Sequence, residues 1–388
     1  MKTCDKEAEG IDDTDVDPVY MQLASKIEDA DSYYAPRILE RIVNVEETKL
    51  LLDLPATSEE LSLKRGIDKQ ALDAILKELI RKGICIKTVS GKIKFLSHMV
   101  TIQDIAGANP KYDEERGEAF FELFKKFRLQ SKYLSDVAES YLEINEGRPF
   151  TRVLPRWKAI KNIPGVMPCE DLREILKFYD GILSSSRCGC RLMVADRHCA
   201  VNVGTHADEG HCVHFGNYAD YFVKDMDLGT YRSWQEMLSL LDELEKSPIY
   251  HCVGNLRDVH WLCNCCPCCC DINMPLARTP GINLKDALAP SRFLAILNGD
   301  KCTGCNICIG KCPFEAIDES GERKKVEINA KKCMGCGTCV INCPDNALKL
   351  KIVRPAEHIP EAGAQYLDGV IEVENWTTPE SYFNPTVA

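Results

Sequence analysis

Eight cysteines between Cys302 and Cys343 fall into two runs of one pattern. Cys302, Cys305, Cys308 and Cys312 precede Pro313, and Cys333, Cys336, Cys339 and Cys343 precede Pro344. Each run reads C-x2-C-x2-C-x3-C-P, a ligand spacing for [4Fe–4S] clusters, which carry single electrons. Three thiolates two residues apart can wrap a tight turn around one cubane. The fourth, set ahead of a proline, points away toward a second cubane. The spacing thus predicts one cluster on Cys302, Cys305, Cys308 and Cys343, and another on Cys333, Cys336, Cys339 and Cys312. Gly304, Gly335 and Gly337 let backbone N–H groups turn toward the cluster sulfurs. Zinc also uses C-x2-C, but a zinc ribbon needs two such pairs, not two quartets each followed by proline.

The stretch from Cys302 to Cys343 closely resembles the bacterial dicluster ferredoxin family and covers about a tenth of the chain. The other cysteines have no such regular spacing. Arg187-Cys188-Gly189-Cys190-Arg191, Cys199 and Cys212 form a C-x-C-x8-C-x12-C set. Four thiolates beside two arginines can hold a cluster and offset its negative charge, and arginine beside a cluster raises its potential. The reading favours a third iron–sulfur cluster there. Zinc stays open, because His198, His206, His211 and His214 are good zinc ligands nearby.

Cys263, Cys265, Cys266, Cys268, Cys269 and Cys270 crowd into eight residues, more thiols than one cubane takes. Adjacent residues of an extended chain point to opposite sides, so one strand could serve two metal centres or a larger cluster. Soft thiolates suit iron–sulfur centres above all, although zinc or copper(I) is the bland alternative. The run has a weak similarity to the cysteine-rich cluster motifs of heterodisulfide reductases, whose Cys-Cys-Gly reads Cys-Cys-Pro here. Cys4, Cys85, Cys169 and Cys252 are scattered and need no function, since buried free cysteine is a common small hydrophobe.

These cysteines sit in a chain of 388 residues with 22 cysteines, 45% hydrophobic residues and a net charge of −11. That length predicts several domains. The negative balance argues against a nucleic-acid or anionic-membrane binder as a whole. No stretch approaches the ~18 apolar residues of a membrane span. Met1 to Gly10 has no apolar h-region. A secreted disulfide scaffold is therefore disfavoured, and reduced thiolates holding metal in the cytoplasm of an anaerobe are expected.

The elements that must carry the thiols suggest a multidomain α/β or α+β chain. Residues 1–35 read as an acidic N-terminal arm with Asp12, Asp13, Asp15 and Asp17. Residues 36–97 read as a winged helix. Thr57 and Glu60 predict a capping box before a helix at Leu61 to Arg65. Asp68 caps a longer helix with Leu72, Ile75, Leu76, Leu79 and Ile80 on one face, and Gly83 ends it. Ile84 to Val89, a Ser90-Gly91 turn and Lys92 to Leu96 predict the wing. Glu47 to Leu96 holds ten Lys/Arg and seven Asp/Glu, about +3. That footprint is weak for a DNA reader, so protein docking is favoured.

Residues 98–165 read as a helical linker region, with Phe120, Phe121, Phe124 and Phe127 on one face and an extended connection from Arg148 to Pro155. Residues 166–290 read as a cysteine-rich α/β metal-binding domain. It has helices at Pro168 to Phe178 and Ser233 to Lys246, and strands at Gly181 to Ser186, Ile249 to Val253 and Val259 to Cys263. Both cysteine groups then follow strand ends, where open α/β sheets bind ligands. Residues 291–352 form the ferredoxin domain and 353–388 an acidic C-terminal tail. From 40 to 345 this order is similar to that of uncharacterised 4Fe–4S ferredoxin-domain proteins of strict anaerobes. It includes Cys-x-Cys-Arg, His-Cys-Val-His-Phe-Gly at 211–216 and Leu-Cys-Asn-Cys-Cys.

The favoured function is a multi-cluster iron–sulfur electron-transfer protein or a subunit of an anaerobic oxidoreductase. Its redox partner would be another protein, a flavoprotein or a larger oxidoreductase complex. One alternative is a reductase with a catalytic non-cubane or open-site cluster between Cys188 and Cys270, with His211, His214, His251 or His260 supplying protons. Another is a redox-sensing winged-helix regulator. No G-x-G-x-x-G or G-x-x-x-x-G-K-[ST] motif is present. Flavin, whose sites often lack a short motif, stays open.

Overall fold

The computed structural model describes residues 16–27, 32–88, 91–96, 99–111, 117–128, 147–194, 212–245, 247–266, 270, 284–321 and 325–361. Cys4, Cys199, Cys268, Cys269, His198, His206 and His211 lie outside them.

The N-terminal part is helical. Helices Pro18–Ala24, Tyr34–Ile42, Val45–Leu52, Ser58–Arg65 and Lys69–Arg81 lead into the hairpin of β1 (Cys85–Lys87) and β2 (Ile93–Phe95). Thr57 and Glu60 form the expected capping box, and Asp68 accepts from the Ala71 N–H. Leu72, Leu76, Leu79 and Ile80 are buried, as the periodicity predicts. Gly83 follows the helix at φ +72°, and a Cβ there would come 2.3 Å from Ile105. Only glycine fits both the left-handed turn and that approach. Helices Met99–Ala108 and Gly117–Arg128 follow, with Phe120, Phe124 and Phe127 buried in the same core. The solvated arm expected over residues 1–35 is corrected from Pro18 onward. Tyr20, Leu23, Ala24 and Ile27 pack into this core because their spacing gives a short amphipathic helix.

The centre is a seven-stranded sheet of β3 (Thr151–Leu154), β4 (Leu183–Ser186), β5 (Cys212–Phe215), β6 (Gly229–Tyr231), β7 (Tyr250–Gly254), β8 (Trp261–Cys265) and β9 (Leu288–Ala289). Its order is β6-β4-β5-β8-β7-β3-β9, and every pair is antiparallel except β3 with β9. The Arg148–Pro155 connection is thus a sheet strand, so the sheet begins before residue 166. Arg152 and Val153 are fully buried there, which a linker would not need. Helices Leu172–Phe178 and Trp234–Leu244 cover one face through Leu172, Leu176, Met237 and Leu241.

The C-terminal part pairs β10 (Phe293–Leu297) with β13 (Leu348–Ile352) and β11 (Ile317–Ser320) with β12 (Lys325–Ile328), all antiparallel. Two short helices, Ile307–Lys311 and Thr338–Ile341, carry the cysteine runs. The chain then turns back. Ile359 is buried against the sheet's helix-covered face, and the Arg257 N–H donates to the Pro360 carbonyl at 2.9 Å. The tail expected from residue 353 therefore packs up to Glu361 before leaving the described residues. Among the described residues no helix is long and apolar enough to cross a membrane.

Candidate metal centres and a thiol cleft

The two C-terminal cysteine runs fold as a near repeat. The Cys312 and Cys343 N–H groups each close the preceding helix, onto Ile309 and Val340. The N–H groups of Ala316 and Ala347 each lie 3.3 Å from a cysteine Sγ, of Cys312 and Cys343. Glu315 and Asn346 take matching left-handed φ angles of 48° and 49°. Backbone donors are thus already aimed at the fourth thiol of each run.

Thiols of the two runs lie beside one another. The thiols acting on Cys308 are Cys305, Cys343 and Cys302, and those acting most on Cys339 are Cys336, Cys312 and Cys333. Cys312, Cys333, Cys336 and Cys339 line one cavity together with Gly335 and Gly337. Burial holds Cys339 well above the usual thiol range, with the neighbouring thiols adding to it. Burial also raises Cys312 and Cys336, and such crowded thiols are suited to binding cationic iron, which deprotonates its ligands. The donor set, the glycine cradle and the N–H groups aimed at sulfur fit [4Fe–4S] clusters. The first quartet is more open: Cys305 is exposed, and Cys302 and Cys343 are half-buried.

The central cysteines form a second array, built by sheet register. Cys212 on β5 pairs with Cys263 on β8, and Cys263 pairs with Cys252 on β7. Laterally paired residues point to one face, so three thiols stand side by side across three strands. Cys265, two residues beyond Cys263, shares that face. Cys188, just beyond β4, reaches Cys212. The contacts run from Cys188 through Cys212, Cys263 and Cys265 to Cys252 and Cys270. Cys263 is drawn down to about 5, chiefly by hydrogen bonds from Cys212 and Cys265, with Arg191 also favouring its thiolate. Cys212 is pushed up by its bonds to Cys188 first and then Cys263, and Cys265 by its bonds to Cys252 first and then Cys263.

Cys188 follows the end of β4, and Cys266 and Cys270 follow the end of β8, whereas Cys212, Cys252, Cys263 and Cys265 lie within strands. The sheet is mostly antiparallel, so the thiols line its face instead of a carboxyl edge. Cys265 joins the apolar cluster on the thiol face, and Cys266 joins the cluster of Leu154 and Leu172 while also bordering the cleft. Cys252, read as a spare hydrophobe, belongs to the array. Its signal is strand pairing, which residue spacing does not carry. Cys85 and Cys169 remain buried core residues.

Cys188, Cys190, Cys212, Cys252, Cys263, Cys265, Cys266 and Cys270 all line a cleft of about 940 Å³. Among the described residues no three His, Cys, Asp or Glu side chains converge to hold a single metal ion. Cys188, Cys190 and Cys212 are thus not gathered as a zinc site needs. The ferredoxin quartets give the same result, as expected for thiolates that meet a cubane at its separate corners.

Of the candidate histidines, His214 lines the cleft, stacked on Phe222 at 3.7 Å and 3.5 Å from Ser184 Oγ. Burial drops it to about 3, so its imidazole is neutral. His260 pairs with Asp258 at 3.1 Å and does not line the cleft. His251 is fully buried and also lies outside the lining. Its Nε2 faces Arg156 Nη1 at 2.9 Å and its Nδ1 faces Asn264 Oδ1 at 2.7 Å. Burial first, then Arg156, holds it neutral. A guanidinium only donates, so Nε2 accepts and Nδ1 carries the proton.

Residues 294–344 match the family model for the 4Fe-4S dicluster domain. The C-terminal part is a 4Fe–4S dicluster domain. It brings two [4Fe–4S] clusters to the chain, and with them iron–sulfur electron transfer. No curated protein and no solved structure matches the chain.

Proposed function

We propose that the chain is an electron relay in which the dicluster domain exchanges electrons with a further iron–sulfur centre held by the central thiols. One observation carries this reading. Phe314, Met334 and Cys336 of the dicluster domain share an apolar cluster with Tyr250, Cys252, Cys265 and Cys270 of the sheet. Phe314 and Tyr250 rings stand 4.8 Å apart. The second quartet is thus packed directly against the thiol array, with no solvent layer of loops between.

When bound, the clusters supply one-electron chemistry. The chain's own residues hold the two parts in register. The Arg156 N–H donates to the Cys336 carbonyl at 2.9 Å, and the Ser291 N–H to that of Met334 at 3.0 Å. Arg292 and Glu170 add a buried ion pair of 2.7 Å. Arg191 donates to the Asn264 carbonyl and lies beside Cys263, where it offsets thiolate charge.

The cleft also supports a second reading, reduction of a small substrate. Phe150, Tyr218, Phe222 and Trp261 give it apolar walls beside the thiols. His214 is a poor proton donor in that reading, being neutral and desolvated. The exposed first quartet suits docking of a redox partner protein.

The test is the double variant Cys263→Ser/Cys265→Ser, compared with Cys85→Ser, under anaerobic purification. Serine is nearly isosteric but a poor ligand for a soft site. Iron should fall to about eight per chain, the dicluster share, while Cys85→Ser leaves it unchanged. Full iron and an unaltered EPR spectrum in the double variant would remove the relay.

A further inference from the structure

Arg156 is fully buried, with none of its surface left to solvent. Its guanidinium donates to the Ile249 carbonyl at 2.8 Å and to His251 at 2.9 Å. Thr338 Oγ1 donates to that same Ile249 carbonyl at 3.3 Å and lies 3.4 Å from Cys336 Sγ. The guanidinium is therefore held next to a ligand of the second quartet and is in electrostatic contact with it. Glu245 is the strongest charged neighbour of the guanidinium and offsets part of its charge. Its short ion pair, 2.8 Å, is with Lys158, and it stands 4.0 Å from Arg156. Arg354 and Lys285 act on Cys333 of the same quartet. Arg354 is fixed there by bonds to the carbonyls of Ser291 and Phe293. Three cations thus converge on the buried quartet. The first quartet faces water at Cys305, and the strongest influences on Cys308 are its burial, a backbone hydrogen bond and the thiols of its own set, with no cation among them.

Two effects oppose each other at the second quartet. Burial makes an added electron costly, because the more negative state loses solvation. Fixed positive charge in a low-dielectric site favours that electron, and does so more strongly than it would in water. We infer that the cations win. Arg156 is a positioning residue that, with Arg354 and Lys285, makes the Cys312–Cys333–Cys336–Cys339 centre easier to reduce than the Cys302–Cys305–Cys308–Cys343 centre. With both clusters bound, an electron held at the exposed quartet would pass to the buried one beside the sheet, the first being oxidised as the second is reduced, with no proton required. The fold gives the pair a direction, from the open end to the thiol cleft. The direction serves the relay reading, but the order of potentials stands on the dicluster domain alone.

The experiment is an EPR-monitored dithionite titration of the full chain and of Arg156→Met, Arg156→Lys and Lys285→Gln. Cys305→Ser marks which signal belongs to the exposed quartet. The signal not marked should have the higher potential. It alone should shift downward in Arg156→Met and, by less, in Lys285→Gln, while Arg156→Lys keeps most of it. Iron content of each variant separates a lost cluster from a shifted one, and Lys285→Gln, at a half-buried position, guards against misfolding of the core variant. The inference is overturned if the buried cluster has the lower potential, if neither variant moves it, or if both clusters shift together. About eight irons per chain with the shift intact would sink the relay and leave the inference standing. More iron with no shift would do the reverse.

Discussion

Gly335 shows how tightly single residues are held at the second quartet. It takes φ +71°, and a Cβ would lie 2.2 Å from the Phe293 carbonyl oxygen and 2.3 Å from Ser291 Oγ. Gly321 takes φ +73° with nothing within 4 Å. Left-handed backbone costs an alanine about 1–2 kcal/mol. Gly321→Ala should lose that much in a denaturant melt, whereas Gly335→Ala should lose clearly more and shed iron from one cluster. Equal losses with full iron in both would refute the close packing of Gly335.

His214 makes a pH prediction. Its folded value, about 3, lies below the unfolded imidazole near 6.5, so the unfolded chain binds the extra proton between them. Stability is full above about 6.5 and is lost as pH falls toward 3, by up to about 1.4 kcal/mol per pH unit. His251 is depressed in the same sense and adds to the slope. Urea melts from pH 7 to 5.5 should show a shallower slope for His214→Gln than for the parent, and parallel slopes would show that His214 is charged when folded. Neither value was legible in the sequence. His214 is buried by Tyr218 and Phe222 from the following turn, and Arg156 reaches His251 across 95 residues.

At the scale of elements, local pattern and non-local pairing divide what the sequence disclosed. The helix caps at Thr57 and Asp68, the Gly83 stop and the eight ferredoxin cysteines are local, and each was readable from spacing. The thiol array was not. It depends on β5, β8 and β7 lying side by side, and period-two alternation alone cannot say which strands are neighbours. The same gap hid β3, which reads as an extended connection although its Arg152 is fully buried.

Several cations of the helix-and-hairpin segment from Ser58 to Phe95 are held by carboxylates of their own segment or of the chain just before it. Lys69 pairs with Asp73 at 2.9 Å and Glu59 at 3.4 Å, Lys64 with Asp53 at 2.9 Å and Lys82 with Glu47 at 2.7 Å. A DNA reader needs those charges for phosphates, whose neutralisation dominates affinity. The full chain should therefore not shift a duplex DNA probe at physiological salt. Tight binding that weakens steeply with added salt would instead promote the regulator reading.

For the whole molecule, the arrangement is a helical cap and a dicluster domain sharing one face of a central sheet, with a thiol-lined cleft between them. Trp261, Phe150 and Phe222 line the cleft on the cap side, and Tyr250 and Phe314 pack together where the dicluster domain meets the thiol array. The central claim is that this cleft holds metal that takes electrons from the dicluster domain. It is tested most directly by counting iron and acid-labile sulfide per chain in protein purified without oxygen. The account predicts about twelve irons or more, with EPR signals beyond those of two coupled [4Fe–4S] clusters. A count of about eight, with only the dicluster signals, would contradict it.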